Sequence, residues 1–396
     1  MPRERTPQDL LGGLDAETFL REHWQKRPLL VRGALPVPEP PLTAEELAGL
    51  ACEEEIESRL VLHPDADTWE LRHGPIPEED FPELPERDWT LLVQDVDKWV
   101  PEAAAVGERL WFLPSWRRDD VMLSFAAPGG GVGPHWDEYD VFLLQLQGRR
   151  RWRIARRFDR EALVPDCDLR ILSRFQPEHE WILGPGDMLY LPPGVAHEGV
   201  ALDACLTCSV GFRAPSAAEM LTDLAGLLAQ RPGAGRRFAD PWRGDASSDP
   251  GLIDSRSMEA VRGLLQEACA MQPGELEIWF GRFITEPKPW LQPEPPAPIA
   301  LEAFARMLSA DIPLALHPAS RLAHAEVAPG RHVLFADGRA HPLPQTLVPL
   351  ARRICGLSRP VPASRLKVSG DAGCRLLHAL YLEGTLRAGD HPDHER

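Results

Sequence analysis

The chain has 396 residues, 43% hydrophobic and 26% charged, a globular mixture that exceeds one ordinary core and suits two to four modules. No run of eighteen apolar residues occurs, and the start, Met1-Pro-Arg-Glu-Arg5, leads into polar sequence without an apolar signal core; no membrane span and a cytoplasmic location are expected. The net charge of −17 lies wholly before residue 301, because residues 301–396 hold 12 Lys+Arg against 9 Asp+Glu. An acidic front portion repels nucleic acid and attracts basic partners.

In chain order, residues 1–100 mix short helical patterns with acidic and Pro-rich loops. Asp15 caps a helix running to Trp24, and Thr43 with Glu46 forms a capping-box signature. Thr90 to Val100 is an apolar and acidic mix expected to cover the next module. Strand candidates follow at 121–126, 141–147, 151–154, 187–191 and 205–212, separated by turns such as Gly184-Pro-Gly186 and Pro192-Pro-Gly194. Many short strands so punctuated predict a sandwich or barrel. Helices are expected over 218–230, with an apolar stripe of Leu221, Leu224, Leu227 and Leu228, and over 249–283. Residues 286–298 are too proline-rich for regular structure. The tail holds a hairpin signal at 333–339 and helices at 345–355 and 371–382. The seven cysteines form no disulfide framework, and Cys205 with Cys208 reads as a pair of small buried strand residues.

The strongest chemical signal is Gly133-Pro-His-Trp-Asp137, with His197 sixty-two positions after His135. An iron(II) oxygenase needs three ligands on one octahedral face, two imidazoles and a carboxylate, leaving positions open for cosubstrate and oxygen. His135 and Asp137 project to one side of extended chain, and His197 follows a strand and a Pro-Pro-Gly turn that aims it inward. These three are the candidate metal ligands and catalytic centre. The glycines at 129–131 and 133 let backbone pass close to the site; no Gly-Lys-Ser/Thr follows them, so they do not form a phosphate loop.

The segment from Met122 to Phe142, the run Gly148-Arg-Arg-Arg-Trp-Arg153, the stretch from Pro185 to His197 and Ser209-Val-Gly-Phe-Arg-Ala-Pro215 resemble the bacterial ribosomal oxygenases of the JmjC/cupin type. The resemblance implies an α+β protein: a double-stranded β-helix barrel (101–214) under an N-terminal α/β cover (1–100). A helical dimerisation segment (215–285), a Pro-rich linker (286–299) and a C-terminal winged-helix-like domain (300–396) follow. It implies Fe(II) as metal, with 2-oxoglutarate and O2 as cosubstrates. The cosubstrate carboxylate would be gripped by Arg150, two before Trp152, with Ser124 beside it. Arg149, Arg151 and Arg153 alternate to the opposite, solvated face.

The implied reaction is 3-hydroxylation of an arginine on a large-subunit ribosomal protein by a homodimeric enzyme; direct nucleic-acid binding is not expected. An arginyl substrate calls for a carboxylate and a flat ring at the mouth. Asp120 shares a strand face with Met122 and Ser124, Tyr139 lies just beyond the triad, and Ser209 lies on the last strand; these are the candidate substrate contacts. Glu138 and Asp140 add negative potential. Two alternatives remain at this point: a histidyl hydroxylase of the same group, and a metal-binding cupin enzyme that does not use 2-oxoglutarate.

Overall fold

A computed structural model describes residues 10–36, 39–65, 68–241, 251–368 and 370–389. Helix α1 (Ala16–Glu22) starts where expected, with Asp15 accepting from the Thr18 amide at 2.6 Å. Helix α2 (Ala44–Ala51) has the complete capping box between Thr43 and Glu46. Besides these helices, the described part of the first hundred residues supplies four strands, β1 (Leu29–Val31), β2 (Ser58–Asp65), β3 (Thr68–His73) and β4 (Trp89–Val93). The stretch expected to be a mere cover is therefore in part wall. Its β4 is buried along most of its length, and a strand buried on both faces loses the alternation by which strands are read.

The barrel strands are β5 (Arg118–Ala126), β6 (His135–Trp136), β7 (Asp140–Gln147), β8 (Arg150–Ala155), β9 (His179–Leu183), β10 (Met188–Leu191), β11 (Ala196–Ala201) and β12 (Cys205–Phe212). They form two antiparallel sheets, one in the order β1-β10-β7-β12-β5-β4-β2-β3 and the other β6-β11-β8-β9. This is the double-stranded β-helix. Alternation along each strand separates two environments. Phe142, Leu144, Leu206, Cys208, Val210, Val121 and Leu123 turn outward into a large core with Phe19 of α1. Phe19 is fully buried and meets Phe142 and Tyr190; burial of a side chain that size contributes roughly 1.5–3 kcal/mol. The other face looks into the barrel, where Val141, Leu143, Trp152, Ile154, Leu189 and Leu191 pack together. Cys205 and Cys208 are both buried strand residues, as expected.

Helix α3 (Pro101–Glu108) leads into β5, and after the barrel come α4 (Ala217–Ala229), α5 (Ser255–Cys269) and α6 (Glu275–Thr285). The single helical stretch expected over 249–283 is in fact two helices, broken at Gln272-Pro273-Gly274, where Gly274 takes φ 90; positions 249 and 250 lie outside the described residues. The linker carries no helix or strand. The expected tail hairpin is present between Arg331–Ala336 and Arg339–Leu343. Asp337 and Gly338 both adopt positive φ in its two-residue turn, the geometry that Asp-Gly favours. Helices Leu301–Ser309, Val348–Cys355 and Gly370–Leu382 surround a separate core containing Phe304, Leu334, Leu350 and Leu377. Among the described residues no helix is long and apolar enough to cross a membrane.

Candidate active site

Strand β6 is only two residues long and pairs with β11 so that His135 stands directly opposite His197. Asp137 follows at once, and its carbonyl accepts from the amide of Gly194 at 2.7 Å, so the Pro-Pro-Gly turn holds the backbone of both ligand segments together. The ligand atoms of His135, Asp137 and His197 lie within 4.8 Å of one another, and His197 Nε2 is 3.6 Å from Asp137 Oδ2. Each imidazole has its Nδ1 on a carbonyl, His135 on Gly133 at 2.9 Å and His197 on Val195 at 3.1 Å. Those bonds fix the tautomer with Nδ1 protonated and leave both Nε2 lone pairs free for a metal. Burial, and the neighbouring His135, push His197 down to about 4, so it is neutral at physiological pH. Two neutral nitrogens and one carboxylate on one side of an ion make the facial arrangement that suits iron(II).

The glycines before β6 serve close approach. A Cβ at Gly131 would lie 2.3 Å from the Gly199 carbonyl oxygen, and one at Gly130 would lie 2.0 Å from that of Trp89. Only glycine admits this crossing of the barrel end. Trp136, between the first two ligands, points away from the metal side and is covered by Phe158, Arg160 and Arg170.

Deeper in the barrel stands Arg150, 4% exposed. Its Nη1 donates to Ser124 Oγ at 3.3 Å and Thr207 Oγ1 at 3.4 Å, and its Nη2 donates to the Gly199 carbonyl at 3.3 Å. Its Nε has no hydrogen-bond partner, and none of the ion pairs among the described residues involves Arg150. A buried guanidinium held by neutral oxygens at long distances is a cation awaiting an anion. Arg150 with Ser124 could hold one carboxylate of a small dicarboxylate.

At the mouth, Asp120 lies on the Ser124 face of β5, next to Gly211, where a Cβ would meet its Oδ1 at 2.9 Å. Oriented by its partners, the Gln94 amide donates to Asp120 Oδ2 at 2.7 Å and accepts from Arg59 Nη2 at 2.7 Å. Burial pushes Asp120 up to about 7, against the pull of Lys288; an incoming cation would draw the proton off again. Tyr139 is 43% exposed, and burial of its hydroxyl end beside Asp137 and Asp120 pushes that phenol far up. Ser209 is buried, opposite Met122 and Leu143.

A JmjC domain model matches residues 105–220. Over 280 residues the chain is 41% identical to the ribosomal protein uL16 3-hydroxylase of Escherichia coli K12, covering 71% of this chain and 74% of that protein. The chain belongs to the ribosomal oxygenases of the JmjC family. A probable ribosomal oxygenase of Haemophilus influenzae shares 37% identity over 64% of each chain. The crystal structure of E. coli YcfD superposes with TM-score 0.82 at 34% identity, covering 95% of this chain and 98% of that one. YcfD in complex with cobalt and 2-oxoglutarate superposes with TM-score 0.79 at 33% identity, over 95% and 99%.

Within this JmjC oxygenase the structure brings together the three ligand candidates at one point, and Ser124 with Arg150 at another. It also adds Thr207 and Gln145, which the sequence reading missed. Thr207 Oγ1 donates to Gln145 Oε1 at 3.1 Å while accepting from Arg150. The signal was present, since Thr207 shares a strand face with Ser209, but small polar residues in an apolar run look like filler. Two expectations need correction. Arg153 is not simply solvated: it pairs with Glu198 and lies over Phe175. Asp140 adds no potential at the mouth, because it is fully buried and tied to Tyr190 at 2.6 Å, Gln25 at 3.3 Å and Arg117 at 3.2 Å. Glu138 is spent on Arg160 and the Trp136 indole.

Proposed function

We propose that the chain is an Fe(II)- and 2-oxoglutarate-dependent hydroxylase of an arginine side chain in large-subunit ribosomal protein uL16. The observation that carries this is the pairing, inside one barrel, of a His-Asp-His triad with a buried arginine that lacks an anionic partner. His135, Asp137 and His197 would hold iron(II); Arg150, Ser124 and Thr207 would hold the far carboxylate of 2-oxoglutarate. When bound, the metal and cosubstrate supply the oxidising power that converts 2-oxoglutarate and O2 into succinate, carbon dioxide and one oxygen atom inserted into a C–H bond. The protein orients and excludes water. Asp120 would pair with the substrate guanidinium, Tyr139 would lie against its plane, and Ser209 would fill the space beneath it. The Arg150 seat favours this over a cupin enzyme without 2-oxoglutarate.

Incubation of the protein with iron(II), 2-oxoglutarate, air and total ribosomal proteins should add one oxygen atom to uL16 by intact mass, and fragmentation should place it on an arginine. Succinate release without any mass gain would leave the oxygenase and remove the substrate. Addition to histidine would move the reading to the histidyl hydroxylases.

The protein works as a homodimer in this reading, with 215–285 as the dimerising segment and 300–396 as a winged-helix-like module. Support comes from apolar side chains that the single chain leaves in water: Leu221 is 65% exposed, Leu265 58% and Ile253 74%, on or beside α4 and α5. Three such residues on or beside two helices that touch offer apolar surface suited to a second copy. Leu221→Asp combined with Leu265→Asp is expected to halve the mass seen by light scattering. An unchanged mass would place the interface elsewhere. A ribosomal-protein substrate fits a cytoplasmic location.

A further inference from the structure

The outer end of β5 is held by β12 alone and through an irregular register. Pairing with β4 ends at Leu123, and the register with β12 shifts between Val210 and Phe212, opposite Asp119 and Asp120. The ladder is thus interrupted at the residues that carry the mouth carboxylate, and resumes beyond them at Arg118, opposite Phe212, and at Arg117, whose carbonyl accepts from the Arg213 amide. Two cations from beyond the barrel take over at the interruption. Arg321, from the C-terminal module, donates through Nη1 to Asp119 Oδ1 at 3.0 Å and through Nη2 to the Arg118 carbonyl at 3.1 Å. Lys288, from the linker, donates to both oxygens of Asp95 at 2.9 and 2.8 Å. Asp95 is buried, and its neighbour Asp97 accepts from the Val121 amide at 2.9 Å. The Lys288 charge also acts on Asp119 and Asp120. Proline on each side of Lys288 narrows the backbone freedom that would otherwise be lost in holding it there.

We propose that Lys288 and Arg321 are positioning residues for the substrate: together they seat the first residues of β5 so that Asp120 faces the mouth, making the linker and C-terminal module part of the active-site framework. The inference rests on the reading of Asp120 as the substrate-guanidinium partner. Ser124 sits four residues further in, where pairing with β4 and β12 is intact, so the cosubstrate seat does not depend on this lock.

The test measures steady-state hydroxylation of purified uL16 by the full-length iron-loaded protein, with KM determined separately for uL16 and for 2-oxoglutarate. Lys288→Met is expected to raise the KM for uL16 about ten-fold, the size expected for loss of one partly buried charged contact. The KM for 2-oxoglutarate should stay within about two-fold, as uniform loss of substrate binding alone requires. Lys288→Arg should recover most of the loss, since it restores the charge. Asp95→Asn keeps the shape of the pair, weakens it, and should move the uL16 KM in the same direction should Lys288→Met fail to fold. In an Asp120→Asn background Lys288→Met should have little further effect. If Asp120→Asn raises the uL16 KM while Lys288→Met and Asp95→Asn leave it unchanged, the lock is overturned and the site reading stands. If Asp120→Asn itself has no effect, the site reading fails and takes the proposal with it. An equal rise in both KM values would mark a general structural role and overturn the proposal.

Discussion

Arg150→Met should melt no lower than the wild type without ligand, yet gain little from 2-oxoglutarate. A buried arginine normally stabilises only when its charge is matched, and removing a matched one is costly. Among the described residues Arg150 has no anionic partner; it has three neutral oxygens at 3.3–3.4 Å and the Trp152 ring, 5.1 Å from its guanidinium carbon. Methionine fills a similar length without the desolvation cost. The abandoned hydroxyls keep alternatives: Ser124 donates to the Thr207 carbonyl at 3.5 Å and Thr207 to Gln145. The wild type, by contrast, should be stabilised by about 2.7 kcal/mol at a ligand concentration 100 times Kd. In the variant that gain falls to about 0.4 kcal/mol at the same concentration, because affinity for 2-oxoglutarate drops on the order of 100-fold, the loss of a charge-assisted carboxylate pair, and its KM rises to match. Differential scanning fluorimetry with and without 2-oxoglutarate checks both halves. A ligand-induced shift that survives undiminished in Arg150→Met would show that the anion seat lies elsewhere.

Asp137→Ala should abolish iron-dependent succinate formation and weaken metal binding by more than about 100-fold. Loss of a group that merely orients a ligand already costs 10–100-fold, and Asp137 is the sole carboxylate in the triad. Without it two neutral imidazoles face a divalent cation with no compensating charge. Anaerobic titration with cobalt(II), followed by its visible absorption, reports binding without turnover. The fold itself should survive, because Asp137 is partly exposed and its backbone carbonyl bond to Gly194 does not involve the side chain. Tight cobalt binding in the variant would disqualify Asp137 as a ligand.

The convergence of His135, Asp137 and His197 was legible because their residue types are chemically uncommon together and strand alternation dictates where they point. Arg150 was legible only through the family resemblance: among five arginines between 149 and 156, no local pattern says which one is buried. Thr207 and Gln145 stayed hidden for the opposite reason, being uncharged and set in strands whose two faces are both covered. The N-terminal strands escaped in the same way. Asp140 was misread because charge so near a metal ligand suggests function. Its partners Gln25 and Tyr190 are 115 and 50 positions away, beyond the reach of any local pattern. Lys288 illustrates the limit most clearly, since its partner Asp95 lies 193 positions earlier.

The two-residue length of β6 has one more consequence. That strand hangs on β11 alone, and the 62 positions from His135 to His197 include the irregular run between β8 and β9. An ion shared by both ends turns this span into a closed loop, a clasp in the chain that works as a cross-link does, by removing freedom from the opened state. A metal held there would prolong the life of the molecule: without it the β6 edge is expected to open more often and to be cut sooner, which limited proteolysis with and without cobalt(II) would show.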